Sequence, residues 1–502
     1  MPRRITILTY PLVLATYPVI FLYAENTREA ISISEVLVTL AAVIAATALV
    51  LLAFRLFIKD SVKVSVIVAL LLVIFFSYDV VRGILANWAT VSIAGIPISQ
   101  HRYLLPASGV LAIAGTSLVI LYRGSLARLM QLAAFVALAL VLLNVGRIGF
   151  ATLGSADQGQ QVSFDRQPQV DQLPDIYYII LDAYGRADVL KENFGHDNSA
   201  FVGWLTNKGF FVASDSRSNY VHSHLSMGSS LNMRYLTGNE DGGWLVKENA
   251  VVSFLQGLGY QYVHFGSGWA ITKRNKQADV EILMGNRLQL ILNEFSSALV
   301  RHTIADPLAR VARLDLDSAF TANYAKRFNY NMRRLREIPD IPGPTFSFSH
   351  NLQPHPPFVF DRDGNLPRDS RMDLTAKGPG QNEMYIDQLV YVNKAVQSMV
   401  TGLLERSPTE PIIIIQADHG PYASDDTWFD NPSDRFVLER TAIFNAYYLP
   451  KYCRSGLYPT ITPVNTFRAV FDSCLGTNLG LLADESYWSR DDPPIDFSQL
   501  QP

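Results

Sequence analysis

The sequence predicts a membrane-anchored α/β protein, in which a bundle of five N-terminal transmembrane helices precedes a domain whose mostly parallel sheet is covered by helices on both faces. Three observations predict it. Long apolar runs fill the first third of the 502 residues. Short β-branched runs alternate with helical spacing in the remainder. Charged residues make up only 17% of the chain, below the roughly 25% of soluble domains, and the deficit falls in the first third.

Five apolar runs are each close to the length of about 20 residues that a helix needs to cross a bilayer. They are Ile5–Tyr23, Val36–Phe57, Val64–Ile84, Tyr103–Tyr122 and Leu129–Phe150. The first run is not interpreted as a cleavable signal, because further spans follow it.

Basic residues in the short loops predict the orientation of these spans. The richer side holds Arg3, Arg4, Arg55, Lys59, Lys63, Arg123 and Arg128, whereas the other side holds Arg28, Arg82 and Arg102. The richer side should be cytoplasmic, and five spans then place everything after Phe150 outside the cytoplasm. A run that lies in the interface instead of spanning would invert this location.

Composition divides the chain into a transmembrane domain at 1–150, a polar linker at 151–173 and an extracytoplasmic domain at 174–502. The last begins with the unbroken apolar strand Ile176–Leu181, which is typical of a strand buried on both faces. Further strands are predicted at 260–265, 346–349, 411–415 and 441–449, and helices at 198–208, 251–258 and 385–404. The segment Asp279–Ile338 is predicted to be a helical insertion or an extended crossover.

Chemically capable side chains follow several of these strands, where ligands of open α/β sheets bind. They are Asp182 after the first strand, His350 and His355 after the third, Asp418 and His419 after the fourth, and Ser223 in a segment rich in hydroxyls and histidines. Each has a structural alternative, since an Asp at a strand end is often a cap or turn former. His355 stands among prolines and could simply shape its loop.

The shared edge of the sheet predicts that two carboxylates, one imidazole and one hydroxyl converge on one divalent cation. We expect Asp182, Ser223, Asp418 and His419 to be its ligands, and this mixture of oxygen and nitrogen suits zinc or manganese better than calcium. A cation would also activate Ser223 as a nucleophile. His355 would then contact the reacting group or protonate a leaving group.

At these residues the sequence resembles the alkaline phosphatase superfamily, and more closely its membrane-bound sulfatase-like branch, which includes lipoteichoic acid synthases and lipid A phosphoethanolamine transferases. The matching features are the five-span anchor, Ile180-Leu181-Asp182, the segment at Ser223, Pro354-His355-Pro356-Pro357-Phe358, Asp418-His419-Gly420, Phe444–Pro450 and Pro463–Phe467.

The resemblance implies an alkaline phosphatase/sulfatase-like fold and a phosphotransferase in the bacterial inner membrane, with its catalytic domain on the periplasmic or extracellular side. It implies a manganese or zinc ion and a covalent intermediate on Ser223. A phospho-alcohol group, phosphoglycerol- or phosphoethanolamine-like, would pass from a phospholipid donor to a cell-envelope glycan or glycolipid. The alternatives are a membrane-tethered phosphodiesterase or phosphatase, and a non-catalytic scaffold with the same fold.

Two departures from the family pattern qualify this implication. The nucleophile is Ser where the transferases usually have Thr, and Ser226 lies close enough to take the role instead. The further histidines and several disulfides of phosphoethanolamine transferases have no match, which favours a phosphoglycerol-type or unknown donor. Ser223 also lacks the following Pro and Arg that formylglycine sulfatases require, so sulfate ester hydrolysis is not expected.

Three further residues are candidates for substrate binding: Arg186 after the first metal ligand, His350, and Trp269 after a strand end. Each could equally pack or cap within the domain. Cys453 and Cys474 could form a disulfide outside the cytoplasm, or remain two separate thiols. The net charge of −3 offers no basic field, so nucleic acid is not an expected partner.

Overall fold

A computed structural model of the chain describes residues 2–26, 33–87, 99–153, 173–238, 240–285, 294–312, 316–367, 380–421, 432–489 and 498–500. Contacts divide the chain into two compact units. Unit 1 comprises Met1–Ser155 and Asn286–Leu316, and unit 2 comprises Ala156–Gly285 and Asp317–Pro502. The predicted linker at 151–173 lies outside the described residues, apart from its two ends.

Within the described ranges, helices and strands are labelled in chain order. The helices are α1 (Pro2–Glu25), α2 (Ile33–Phe57), α3 (Ser61–Asn87), α4 (His101–Leu121), α5 (Ala127–Leu153), α6 (Ala187–Phe194), α7 (Ser199–Asn207), α8 (Ser223–Asn232), α9 (Gly242–Lys247), α10 (Ala250–Gly257), α11 (Glu294–Arg301), α12 (Ala305–Val311), α13 (Leu316–Leu335), α14 (Gln381–Arg406), α15 (Asp434–Thr441) and α16 (Pro463–Val470). The strands are β1 (Ile176–Leu181), β2 (Phe211–Val212), β3 (Gln261–Phe265), β4 (Val280–Ile282), β5 (Thr345–Asn351), β6 (Ile412–Gln416), β7 (Asn445–Tyr448), β8 (Tyr487–Trp488) and β9 (Ser498–Gln499).

Unit 1 is built on the apolar helices α1–α5. Four of them, α2 to α5, are long and apolar enough to cross a membrane. Their outward side chains are large and apolar, for example Leu52, Ile113 and Phe135, each more than 60% exposed. Such a surface is stable against lipid and not against water. In α1 the stretch Tyr10–Glu25 is apolar but shorter, so the predicted fifth span is not confirmed.

The segment predicted as an insertion, Asp279–Ile338, is divided between the two units. Its part from Asn286 to Leu316 belongs to unit 1, where Phe295 and Leu299 of α11 pack against Val19 and Val36. The predicted extracytoplasmic domain is therefore not one continuous stretch of sequence. An apolar face on α11 is more stable against other apolar helices than in water, which accounts for this excursion of the chain.

Unit 2 contains a seven-stranded sheet in the order β2-β7-β6-β1-β5-β3-β4. The neighbouring strands from β6 to β4 in this order pair in parallel, whereas β7 pairs antiparallel with both β6 and β2. This arrangement confirms the predicted mostly parallel sheet. The central strand β1 lies between β5 and β6 and is buried along its whole length.

Helices cover both faces of this sheet. Successive side chains of β1 point to opposite faces, so each face presents side chains for a helix layer to bury. On one face Ile179 joins the main core with residues of α13 and α14, including Leu389. On the other face the Tyr178 ring packs edge-on against Phe467 of α16, and its hydroxyl lies 2.8 Å from Ser230 Oγ of α8.

The two cysteines of the chain, Cys453 and Cys474, form a disulfide that joins positions 21 residues apart. This pairing resolves the alternative that the sequence left open. It links the region after β7 to the turn that follows α16.

We expect the double substitution Cys453→Ser/Cys474→Ser to lower the free energy of unfolding of unit 2 by about 3 kcal/mol, because the cross-link restricts the unfolded chain. Chemical denaturation followed by circular dichroism would measure it. Wild-type protein under reducing conditions should lose the same amount. Unchanged denaturation of the Ser/Ser protein would contradict the expectation.

Candidate active site

The site lies at the carboxyl ends of the three central strands. Asp182 directly follows β1, whose Ile180 pairs with His350 of β5 and with Gln416 of β6. Asp418 stands two residues beyond Gln416. Parallel pairing therefore brings three side chains that are far apart in sequence to one edge of the sheet.

Asp418 is held by the backbone so that one of its oxygens remains available. Its Oδ1 accepts hydrogen bonds from the backbone N–H of Ala183 at 3.2 Å and of His419 at 2.9 Å. Its Oδ2 is buried and has no hydrogen-bond partner. A buried carboxylate oxygen without a donor is costly, and a bound cation would remove that cost.

Asp182 and His350 offer two more such atoms. Asp182 Oδ1 and His350 Nε2 are buried without hydrogen-bond partners, and His350 Nε2 lies 3.5 Å from Asp182 Oδ2. His350 Nδ1 lies 2.8 Å from Thr272 Oγ1, which orients the ring as outer partners of metal-binding histidines do. Ligand atoms of Asp182, His350 and Asp418 all lie within 4.8 Å of one another.

His419 and Ser223 complete the cluster. His419 Nε2 lies 3.5 Å from Asp182 Oδ1, 3.7 Å from Asp418 Oδ2 and 3.2 Å from Ser223 Oγ. Ligands bound tetrahedrally to zinc at about 2.1 Å are separated by roughly 3.4 Å. His419 Nε2 therefore lies at spacings from Asp182, Asp418 and Ser223 that one cation can bridge.

His350 is predicted to bind substrate, which stays a prediction, and the structure places its ring close to Asp182 and Asp418, with which it could hold a metal ion. The strand-end rule that singled out Asp182 and Asp418 applies equally to His350, because it lies one residue before the end of β5. The sequence did not indicate that His350 lies close to Asp182 and Asp418, because histidine at a strand end is also common in a packed core.

Burial and neighbouring charges shift the pKa values of the two carboxyls in opposite directions. Burial, and next the charge of Asp182, raise the pKa of Asp418 to about 6. Burial acts in the same direction on Asp182, but the nearby imidazoles of His355 and His350 outweigh it and lower the pKa of that carboxyl below its usual range. Two unpaired carboxylates this close are unstable together, so the site favours added positive charge.

Arg440 of α15 contacts the imidazole of His419 and lowers its pKa. Its guanidinium is fully buried, lies 2.9 Å from His419 Nδ1, and donates to the carbonyl oxygens of Gly420 and Val221. Burial and this guanidinium lower the pKa of His419 well below its usual value. The neutral imidazole is the form that binds metals. A lone Arg in a helix gives no local signal, so the sequence did not indicate it.

We expect Arg440→Met to lower the free energy of unfolding by about 3 kcal/mol, since two buried carbonyl oxygens lose their donor, and to weaken metal binding at His419. Denaturation and metal titration would measure the two effects. Arg435→Met is the matched control, because Arg435 is exposed on the same helix. Equal behaviour of the two variants would contradict the expectation.

Ser223 is the first residue of α8, where the positive end of the helix dipole and free N–H groups favour anions. Ser226, the alternative nucleophile, is buried one turn further along the helix, and its Oγ has no hydrogen-bond partner. Only Ser223 Oγ lies within hydrogen-bond distance of a predicted metal ligand among the contacts of these two serines.

His355 is half-buried beside the cluster, with its ring centroid 6.1 Å from that of His419. Its Nδ1 lies 2.5 Å from the Pro356 carbonyl oxygen, so Nδ1 carries a proton. The buried amide of Gln388 donates to the carbonyl oxygens of Pro354 and His355, both at 3.0 Å. Gln388 therefore positions this loop, a role that the sequence did not indicate.

The remaining predicted residues differ in their surroundings. Trp269 is half-buried and packs edge-on against His350, with ring centroids 5.5 Å apart. Arg186 pairs through two nitrogens with Asp188 and donates through the third to the Ser216 carbonyl oxygen. All three nitrogens of Arg186 donate within the protein, and its contact with substrate stays a prediction.

No protein-family model matches the sequence, and no curated protein matches it. Solved structures do. The C-terminal periplasmic domain of EcEptC from Escherichia coli, in complex with Zn, matches with a TM-score of 0.44 at 11% identity, covering 64% of this chain and 87% of that one. An alkaline phosphatase superfamily protein from Vibrio parahaemolyticus matches with a TM-score of 0.43 at 10% identity, covering 69% and 81%.

The integral membrane lipooligosaccharide phosphoethanolamine transferase A (EptA) from Neisseria meningitidis matches over 92% of this chain and 95% of its own, with a TM-score of 0.40 at 10% identity. This chain is similar in structure to a membrane phosphoethanolamine transferase and to an alkaline phosphatase superfamily protein, the groups that its motifs resemble.

Proposed function

We propose that the chain is a membrane-bound, metal-dependent phosphotransferase that moves a phospho-alcohol group from a phospholipid to a cell-envelope glycan or glycolipid through a covalent intermediate on Ser223. The observation that carries the proposal is the placement of Ser223 Oγ, which lies 3.2 Å from His419 Nε2 at the start of a helix. Three buried ligand atoms without partners accompany it.

The proposed ligands of the cation are Asp182, Asp418, His419 and Ser223, with His350 as a further donor. Mixed oxygen and nitrogen donors suit zinc or manganese. When bound, such an ion would supply positive charge that favours the deprotonated serine oxygen and offsets charge on the phosphoryl group.

In the first half of the reaction, the Ser223 hydroxyl gives its proton to water and its oxygen attacks the phosphorus of the donor. A bond from Ser223 Oγ to phosphorus forms, and the bond from phosphorus to the lipid alcohol oxygen breaks. For this step His355 must carry a proton on both ring nitrogens; it gives the Nε2 proton to that leaving oxygen and becomes neutral. The N-terminal N–H groups of α8 stabilise the negative charge on the phosphoryl oxygens.

In the second half, His355 Nε2 takes a proton from the hydroxyl of the acceptor, whose oxygen forms a bond to the phosphorus of the phosphoserine. The bond from phosphorus to Ser223 Oγ breaks, and Ser223 Oγ regains its proton from water. This step reverses the first with a different alcohol. The four spanning helices support a lipid donor, because an anchored site meets lipids at a high effective concentration. The disulfide supports an oxidising, extracytoplasmic location for unit 2.

The proposal is tested with purified full-length protein in vesicles of phosphatidylglycerol and phosphatidylethanolamine, supplied with manganese or zinc and a purified envelope glycolipid. We expect diacylglycerol to appear together with an equal amount of phospho-alcohol on the acceptor. The headgroup transferred would identify the donor. Release of free phospho-alcohol alone would contradict transfer, and absence of diacylglycerol with either metal would contradict the proposed chemistry.

A further inference from the structure

Unit 1 contains a polar cavity of about 260 Å³ outside the candidate active site. It is lined by residues from the end of α3, the start of α4 and the α11–α12 segment. Pockets for whole drug-sized ligands measure roughly 300–1,000 Å³, so this cavity suits a smaller polar group.

The charged side chains that line the cavity are Arg82, Arg301, Arg310, Asp79 and Asp306. Three guanidiniums against two carboxylates leave an excess of one positive charge, before His101 and His302 are counted. An excess of guanidinium groups around a small cavity is the arrangement that binds phosphate oxygens.

The cavity has a defined shape because the α11–α12 segment is tied to α3. The Ile304 backbone N–H donates to the Phe75 carbonyl oxygen at 3.1 Å, and His302 Nδ1 lies 2.9 Å from Asp79 Oδ2. Asp79 also accepts from Arg82 Nε at 2.8 Å. The first two contacts join parts of the chain more than 200 residues apart, and all three hold the charged groups in place.

Lining side chains are nevertheless open to the surroundings: Arg82 is 39% exposed and Arg310 is 53% exposed. Arg310 pairs with Asp306 through its Nε and Nη2. An incoming anion therefore meets guanidinium groups that are already ordered.

Exposed apolar side chains occur on two of the helices that supply lining residues. Next to Asp79 and Arg82 on α3, the side chain of Val80 is 62% exposed. On α12, which supplies Arg310, Leu308 and Val311 are 48% and 72% exposed. Basic and apolar residues side by side on a short helix are typical of a segment in the membrane interface.

We infer that this cavity binds the phosphate of a membrane phospholipid, with its guanidiniums on the headgroup and the acyl chains along the exposed apolar side chains of α3 and α12. The α3 and α4 helices are long enough to span a bilayer, and the cavity lies at their adjoining ends. This binding is independent of the proposed catalysis, because all its residues belong to unit 1.

The test uses full-length protein in detergent, stripped of metal with EDTA so that no turnover occurs. Native mass spectrometry would follow retention of phosphatidylglycerol as its concentration is raised. We expect wild-type protein to retain one lipid and Arg301→Gln/Arg310→Gln to bind it at least about tenfold more weakly, because charged hydrogen bonds are lost. Arg301→Lys/Arg310→Lys should keep part of the affinity and a wild-type melting temperature.

Arg147→Gln is the matched control, because Arg147 also belongs to unit 1 and pairs with a carboxylate, Glu25, but does not line the cavity. It should retain the lipid as wild type does. Equal retention by the Gln/Gln variant, equal retention of diacylglycerol, or displacement of the lipid by an equal concentration of inorganic phosphate would each overturn the inference.

Discussion

Ser223→Ala is expected to abolish the covalent phospho-adduct and to lower transfer by about 10³-fold or more, as loss of a nucleophile does in enzymes that work through covalent intermediates. The hydroxyl is the only group of the cluster that can form an ester with phosphorus and later release it. Intact-mass analysis of the protein incubated with lipid donor would detect the adduct. Its added mass would also identify the transferred group.

The matched variants lie on the same helix. Ser226→Ala removes a buried hydroxyl one turn further along α8 and should leave the adduct in place. Ser223→Thr keeps a hydroxyl at the first position and should keep measurable transfer. An adduct that persists in Ser223→Ala and disappears in Ser226→Ala would assign the nucleophile to the other serine.

Asp418→Asn is expected to change two properties in opposite directions. Metal retention should fall by about 100-fold or more, since even changes to outer partners of a metal site cost 10–100-fold. The metal-free protein should not lose stability, because the amide oxygen can still accept from the backbone N–H groups of Ala183 and His419. A buried charge beside Asp182 would also be removed.

The sign follows from the raised pKa of Asp418. A carboxyl whose pKa is higher in the folded than in the unfolded state opposes folding at pH values above the unfolded pKa, and most fully above about 6. At pH 8 in EDTA we therefore expect the melting temperature of Asp418→Asn to equal or exceed that of wild type.

Metal content by mass spectrometry and melting in EDTA separate the two effects. Asp434→Asn is the control, because Asp434 is exposed on α15, and it should change neither property. One equivalent of metal retained by Asp418→Asn would contradict the proposed ligand set.

Much of the fold was predictable because the relevant signals are local. The unbroken apolar run at β1 and the residue that follows it, Asp182, can be identified without any partner strand. The same holds for the long apolar runs of α2 to α5. The prediction was weaker for α1, whose apolar stretch at Tyr10–Glu25 is shorter.

Other features depend on contacts between distant parts of the chain. Nothing near Arg440 indicates that its side chain is buried against His419, and nothing near Gln388 indicates that it holds the loop of His355. The same is true of the segment Asn286–Leu316, which belongs to unit 1. The packing of its helix α11 against the N-terminal helices depends on apolar faces that exist only once the helices have folded.

By itself the sequence determined the long apolar helices α2 to α5, the mostly parallel sheet and the positions of Asp182 and Asp418 beyond strand ends, since each follows from hydrophobic patterning or from position after a strand. The roles of Asp182, Ser223, Asp418 and His419 stay predictions. The tertiary structure alone showed that His350 lies close to Asp182 and Asp418, that Arg186 pairs with Asp188, and that Cys453 and Cys474 are bridged. The physical reason is that side-chain distances depend on strand pairing and helix packing, whereas hydrophobic patterns are written along the chain.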